Sequence, residues 1–247
     1  MNAVLIAHRG EPVNLPENSL EGFRAVLEAG AHLLETDVQI TVDGVPVLCH
    51  DPGLLKMTGH DLRVTETSWR DMRELPAGQA EQFGNHFPQV RIARLEDFVV
   101  LLGQWPQAQA FVEIKQESLD AFGVESVVYR VLEQLSPVHD QCVVISFNAE
   151  VVRLVKARIP SGWVLSEWSE RSRVLAEQLE PDYLFVSRKR LPGEDKPLWP
   201  GRWQWAVYTV DEAAEVARQL SRGIQLVETN NIRSLLTTPD LSGTPNA

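Results

Sequence analysis

The chain has 247 residues, 44% of them hydrophobic and 23% charged, with 23 Lys+Arg against 34 Asp+Glu and a formal net charge of −11. That composition excludes a disordered, collagenous or coiled-coil protein. The acidic balance excludes one that tracks a nucleic-acid backbone, since such affinity comes from clustered Lys and Arg displacing counterions.

Residues 4–8 form the first predicted strand, and the stretch Met1 to Ala7 lacks the cationic start and the length of a secretory signal. No uninterrupted apolar run reaches the ~18 residues that a membrane span needs. Cys49 and Cys142 each sit in a strand-like apolar run, so the expectation is a cytoplasmic protein with two buried free thiols. Over residues 19–29, Leu20, Phe23, Val26 and Leu27 share one helical face, behind a capping box of Asn18 and Glu21. Residues 33–39 give the second strand. Asp43-Gly44 then signals a hairpin whose return arm is 45–50. With those two residues as the turn, Val42 faces Val45, Ile40 faces Val47 and Asp37 faces His50.

Residues 51–93 break the rhythm with Pro52, Gly53, Gly59, Pro76, Gly78, Gly84 and Pro88, and carry one predicted helix over 68–75. They read as an insertion above a barrel mouth. Strands follow at 110–115, 142–147, 163–166, 183–187, 204–208 and 225–228, with helical patterns at 119–135 and 211–221, the second entered through a Thr209-to-Glu212 capping box. The tail from Thr237, with Pro239, Gly243 and Pro245, reads as loose. Eight strands alternating with helices predict a (β/α)8 TIM barrel as one domain over 1–247. An open doubly wound sheet is the alternative, and no Gly-rich GxGxxG turn supports it.

Four clusters fall at the C-terminal ends of these strands, where barrel enzymes place their chemistry: His8-Arg9-Gly10, Glu35-Thr36-Asp37, His50-Asp51 and Glu113-Ile114-Lys115. Glu35 and Asp37, two apart, share one side of their strand, as do Glu113 and Lys115. Three carboxylates converging in an apolar mouth repel, and a hard divalent cation with oxygen ligands, Mg2+ or Ca2+, relieves that repulsion. The competing reading is an ion network in which Lys115 and Arg9 do so. His8 and His50 are suited to acid and base work near neutral pH, Arg9 offers a planar fork to a phosphate, and Lys115 offers a point charge. Together these parts match phosphoryl chemistry. His32, His60, His86 and His139 read as solvated.

In order and spacing, His8-Arg9-Gly10, Pro16-Glu17-Asn18-Ser19, Glu35-Thr36-Asp37-Val38, Asp43-Gly44 with His50-Asp51, Glu113-Ile114-Lys115, Ser146-Phe147 and Tyr208-Thr209-Val210 resemble the glycerophosphodiester phosphodiesterase family. The resemblance implies a barrel enzyme that releases glycerol 3-phosphate and an alcohol, through either a cyclic phosphate or direct attack by water. It implies that Glu35, Asp37 and Glu113 hold Mg2+ or Ca2+, that Arg9 and Lys115 bind phosphate, and that His8 and His50 are acid and base. Phe147 and Tyr208 are candidates to pack on the glycerol or head group, with barrel core as the other reading, and Trp168 and Trp205 are placed in the same way. Glu17 and Asn18 are candidates to orient the site, though a helix N-cap also accounts for Asn18. The family often closes its last strand with Asp, where this chain has Asn230, and Glu228 is unusual there. The expected partner is a small-molecule glycerophosphodiester, with no nucleic acid and no membrane span. Two other readings are a lysophospholipase D and a non-catalytic metal- or phosphate-binding barrel.

Overall fold

A computed structural model describes residues 4–194 and 196–238 of the chain. Among the described residues nine strands form one sheet: β1 (Val4–His8), β2 (Leu33–Ile40), β3 (Pro46–Leu48), β4 (Gln109–Ile114), β5 (Cys142–Ser146), β6 (Ser161–Leu165), β7 (Tyr183–Ser187), β8 (Gln204–Tyr208) and β9 (Leu226–Thr229). Eight of them pair in parallel in the order β1-β2-β4-β5-β6-β7-β8-β9, and β9 pairs again with β1, closing a TIM barrel. β3 lies outside the ring, antiparallel to β2.

Closure requires strands that are apolar on both faces, and alternation along each strand supplies this. In β5, Val143 and Ile145 join Ile6, Phe111, Val164, Phe185, Ala206 and Leu226 inside the barrel. Cys142 and Val144 face outward and pack in the larger core beneath the helices. Gly162 is needed where the interior is tightest, because a Cβ there would lie 2.8 Å from Ile145 Cγ2. Both cysteines are buried and free.

The hairpin differs from its predicted register. Ile40 pairs with Pro46, Gln39 with Val47 and Val38 with Leu48. The loop is therefore three residues long, Val42-Asp43-Gly44, with Gly44 at φ +86° and its N–H bonded to Thr41 O. A type I turn closed by a left-handed glycine accounts for the extra residue. Cys49, not His50, therefore stands opposite Asp37, to whose carbonyl its N–H donates.

Helical expectations change in the barrel at three places. The pattern over 119–135 divides into Gln116–Phe122 and Val124–Leu135, broken at Gly123 with φ +79°. Ser19, not Asn18, caps the first helix, Leu20–Glu28, through its Oγ. The Thr209-to-Glu212 box does not form; Glu212 itself is the N-cap of Ala213–Ser221.

Between β3 and the helix Leu95–Gly103 that precedes β4 the chain makes only short helical turns, with Trp69–Met72 in place of the longer predicted helix. These turns gather a separate apolar cluster of Val47, Cys49, Leu54, Met57, Val64, Met72, Ala77, Val90 and Ile92. No helix among the described residues is long and apolar enough to cross a membrane. The expectation for the tail falls, from Pro239 onward, outside the described residues.

Candidate active site

The closing ladder of the barrel levels the chemical groups. His8 pairs with Glu35 across β1 and β2, and Asp37 with Glu113 across β2 and β4. Carboxylate oxygens of Glu35, Asp37 and Glu113 all lie within 4.8 Å of one another. Above them opens a cavity of about 490 Å3, lined by His8, Arg9, His50, Glu113, Lys115, Phe147 and Tyr208 among others. Glu35 and Asp37 lie beneath it, 2% and 1% exposed.

Asp37 is the most firmly held of the three. Asn18 Nδ2 donates to Asp37 Oδ2 at 3.0 Å, while Asn18 Oδ1 accepts from Thr36 Oγ1 and from the Asp37 N–H. Lys115 Nζ lies 3.2 Å from Asp37 Oδ1 and 2.8 Å from Glu113 Oε1. Arg9 Nε lies 3.0 Å from Asp37 Oδ2, as an ion pair whose N–H is not aimed along the line to that oxygen. Burial opposes ionisation of Asp37, but Arg9, Lys115 and His50, with the Asn18 hydrogen bond, overcome it and hold the carboxyl well below its ordinary range. Glu35 receives one backbone N–H, from Arg9 at 3.2 Å. Burial, then the charges of Asp37 and Glu228, push its pKa well above the usual value. Burial likewise raises Glu113, against the pull of Lys115.

The cationic network weighed from the sequence is thus present, yet it leaves charge over. Glu35, Asp37, Glu113 and Glu228 face Arg9 and Lys115, and Arg9 is shared with Glu17 at 3.5 Å. Two carboxylates raised by burial and mutual repulsion, with oxygen ligands within reach of one point, fit a hard divalent cation.

His8 is fixed from two sides. Its Nδ1 lies 2.7 Å from Asn230 Oδ1, and its Nε2 lies 3.3 Å from Glu228 Oε1 and 3.9 Å from Glu35 Oε2. The Asn230 amide cannot flip without loss, because its Nδ2 donates to Asp211 Oδ2 at 3.0 Å. Nδ1 of His8 therefore carries the hydrogen and Nε2 presents a lone pair. Burial, then Arg9, lowers the His8 pKa to about 3, while burial raises that of Glu228 to about 8. His50 reaches the cavity from the coil after β3. Gln39 Nε2 donates to the carbonyls of Cys49, His50 and Asp51, and His50 Nδ1 lies 2.7 Å from Asp51 Oδ1.

Every residue singled out for this chemistry is therefore in or under one mouth. Phe147, 38% exposed, and Tyr208 both line it, whereas Trp168 and Trp205 stack at 5.4 Å as part of the outer core. Glu17 is buried, holding Lys56 Nζ at 2.9 Å and 3.0 Å and donating its N–H to Gln79 Oε1, which ties residues 51–93 to the Arg9 loop. His32, His60, His86 and His139 are exposed, as expected. Sequence reasoning gave no role to Glu228, Asn230, Arg188 or Lys189. The signal for Glu228 was parity: Leu226 points into the barrel, so the residue two further along β9 does too, beside His8.

Comparison with known proteins bears on what this mouth does. The model of the glycerophosphoryl diester phosphodiesterase family matches residues 8–234. A glycerophosphodiester phosphodiesterase of Caldanaerobacter subterraneus subsp. tengcongensis is 27% identical over 96% of this chain and 97% of its own. Glycerophosphodiester phosphodiesterase 1 of Mus musculus is 27% identical over 83% of this chain, which spans 56% of that protein. Among solved structures, a phosphodiesterase of Oleispira antarctica in complex with the product sn-glycerol-3-phosphate superimposes with a TM-score of 0.80 at 21% identity, over 94% of this chain and 95% of that one.

Proposed function

Because the chain belongs to the glycerophosphoryl diester phosphodiesterase family and is a phosphoric diester hydrolase of glycerophosphodiesters, we propose that its barrel mouth releases glycerol 3-phosphate by histidine acid and base catalysis assisted by a divalent cation. One observation carries the reading: the carboxylates of Glu35, Asp37 and Glu113 converge beneath a single cavity that both His8 and His50 line.

In this reading Glu35, Asp37 and Glu113 hold Mg2+ or Ca2+, which when bound supplies positive charge to a phosphoryl oxygen. Arg9 and Lys115 orient the diester through its remaining oxygens. His8, neutral and with its lone pair at Nε2, takes the proton of the attacking hydroxyl. His50, braced by Asp51, gives a proton to the departing alcohol oxygen. Phe147 and Tyr208 pack against the organic part of the substrate, and residues 51–93 brace the Arg9 loop through the Lys56–Glu17 pair. The two free buried thiols support a cytoplasmic setting for the reaction, within one domain over 1–247.

The test is release of glycerol 3-phosphate from glycerophosphocholine and glycerophosphoglycerol with Mg2+ or Ca2+ and with chelator. Chelation should stop turnover reversibly. Glu113→Ala should reduce it to background with an unchanged circular dichroism spectrum. Turnover indifferent to chelator, or intact in Glu113→Ala, would remove the cation from the mechanism.

A further inference from the structure

Around the ring, β7 stands diametrically across from β2, the strand that carries Glu35 and Asp37. Its C-terminal end runs directly into Arg188, Lys189 and Arg190. Arg188 and Lys189 line the same cavity as His8 and Glu113, and both are exposed. Among the described residues neither forms an ion pair. Arg190 differs, since its Nη1 donates to Leu165 O at 3.3 Å.

The acids that share the cavity wall do not answer these charges. Glu113 is engaged by Lys115 and Glu228 by His8, while Asp211 accepts from Thr229 Oγ1 and from the Asn230 backbone and side chain. In a protein of net charge −11, the rim facing the acidic floor is therefore a local concentration of positive charge with no ion-pair partner among the described residues. The Arg9 and Lys115 cations are engaged by the floor, so a phosphate gripped there leaves the β7 cations free for a second group on the same molecule.

We propose that Arg188 and Lys189 set substrate choice by binding a second phosphate carried on the alcohol portion of the diester. The inference rests on the hydrolase reading above and narrows it. An Arg fork beside a Lys point charge suits a phosphate dianion or diester. The same pair opposes a quaternary ammonium on the alcohol, so the rim selects by repulsion as well as by attraction.

The experiment compares kcat/KM for bis(glycerophospho)glycerol, whose alcohol carries a second phosphodiester, with glycerophosphoglycerol, whose alcohol is neutral, and glycerophosphocholine, whose alcohol is cationic. The wild type should favour them in that order, with the preference shrinking as salt is raised. Arg188→Gln and Lys189→Gln should each cut the ratio of the first to the second by about five-fold, the scale of an exposed ion pair, and the double variant by more. A loss of equal size for all three substrates would mean that these residues hold the reacting phosphate, and an unchanged ratio would mean that they hold nothing; either result overturns the proposal. Equilibrium binding of glycerol 1,3-bisphosphate against glycerol 3-phosphate separates the same outcomes without turnover. The wild type should prefer the bisphosphate, and the double variant should not. Absence of any diester turnover would count against the hydrolase reading alone, because the binding comparison still decides this one.

Discussion

Two parts of the mouth present a histidine each and build it in opposite ways. At the β1–β9 seam His8 is 13% exposed, with Asn230 on one ring nitrogen and Glu228 on the other, all on strands or strand ends fixed by the barrel ladder. Beside β2 His50 stands on coil after a three-residue strand outside the ring, 33% exposed, and its side-chain partner among the described residues, Asp51, is its sequence neighbour. The ladder fixes the proton position and environment of His8, whereas His50 depends on local coil held by one amide, that of Gln39. A site that must both position a base and admit a bulky diester gains from having one rigid wall and one adaptable wall.

Replacing each histidine breaks this comparison most sharply. His8→Ala and His50→Ala should each lower kcat by roughly 10²-fold or more. Only His8→Ala should also lower Tm by several degrees, since it leaves buried polar partners without a hydrogen bond at about 1–3 kcal/mol. An equal loss of Tm in His50→Ala would show that the coil is as tightly built as the seam.

Asn18→Ala should act next most strongly. It removes the amide that organises Asp37 and Thr36, and loss of such an outer partner typically costs ten- to a hundredfold in metal affinity or activity. Asn18 sits at φ +54°, so Asn18→Gly keeps the backbone at ease and isolates the amide. Unchanged metal titration and turnover in both variants would take Asn18 out of the site. The smallest effect on rate belongs to Gly44→Ala. At φ +86° a Cβ is strained by about 1–2 kcal/mol, and it would meet Arg130 Nη1 at 2.7 Å. Denaturant midpoint should fall while kcat holds, because Gln39 and Asp51 position His50 independently of the turn. A large fall in kcat would place His50 under control of the hairpin loop.

How far these features could be read from residues alone follows from the range of the interactions that set them. Strands β1, β7 and β8 begin and end where apolar alternation says, and the Glu35/Asp37 pair shares a face for the same reason: both depend on a repeat of two residues along one strand. The hairpin register could not be read in that way. Asp43-Gly44 is compatible with a two-residue or a three-residue loop, and the choice is made by Thr41, whose N–H pairs with Val45 O and whose Oγ1 accepts the Val45 N–H. Asn18 and Ser19 are equally good capping residues in isolation. Burial of Asp37 nineteen positions away recruited Asn18 and left the cap to Ser19.

Local chemistry, then, set the alternating strands, the helices between them, and the acid, base and cationic motifs at strand ends, because each rests on neighbours within a few residues. Closure of the ring decided the rest. Pairing of β9 with β1 brought Glu228 and Asn230 to His8, and the position of β7 across from β2 set Arg188 and Lys189 over the acidic floor. Contacts between residues some two hundred positions apart are made by the barrel as a whole, and no stretch of the chain encodes them alone.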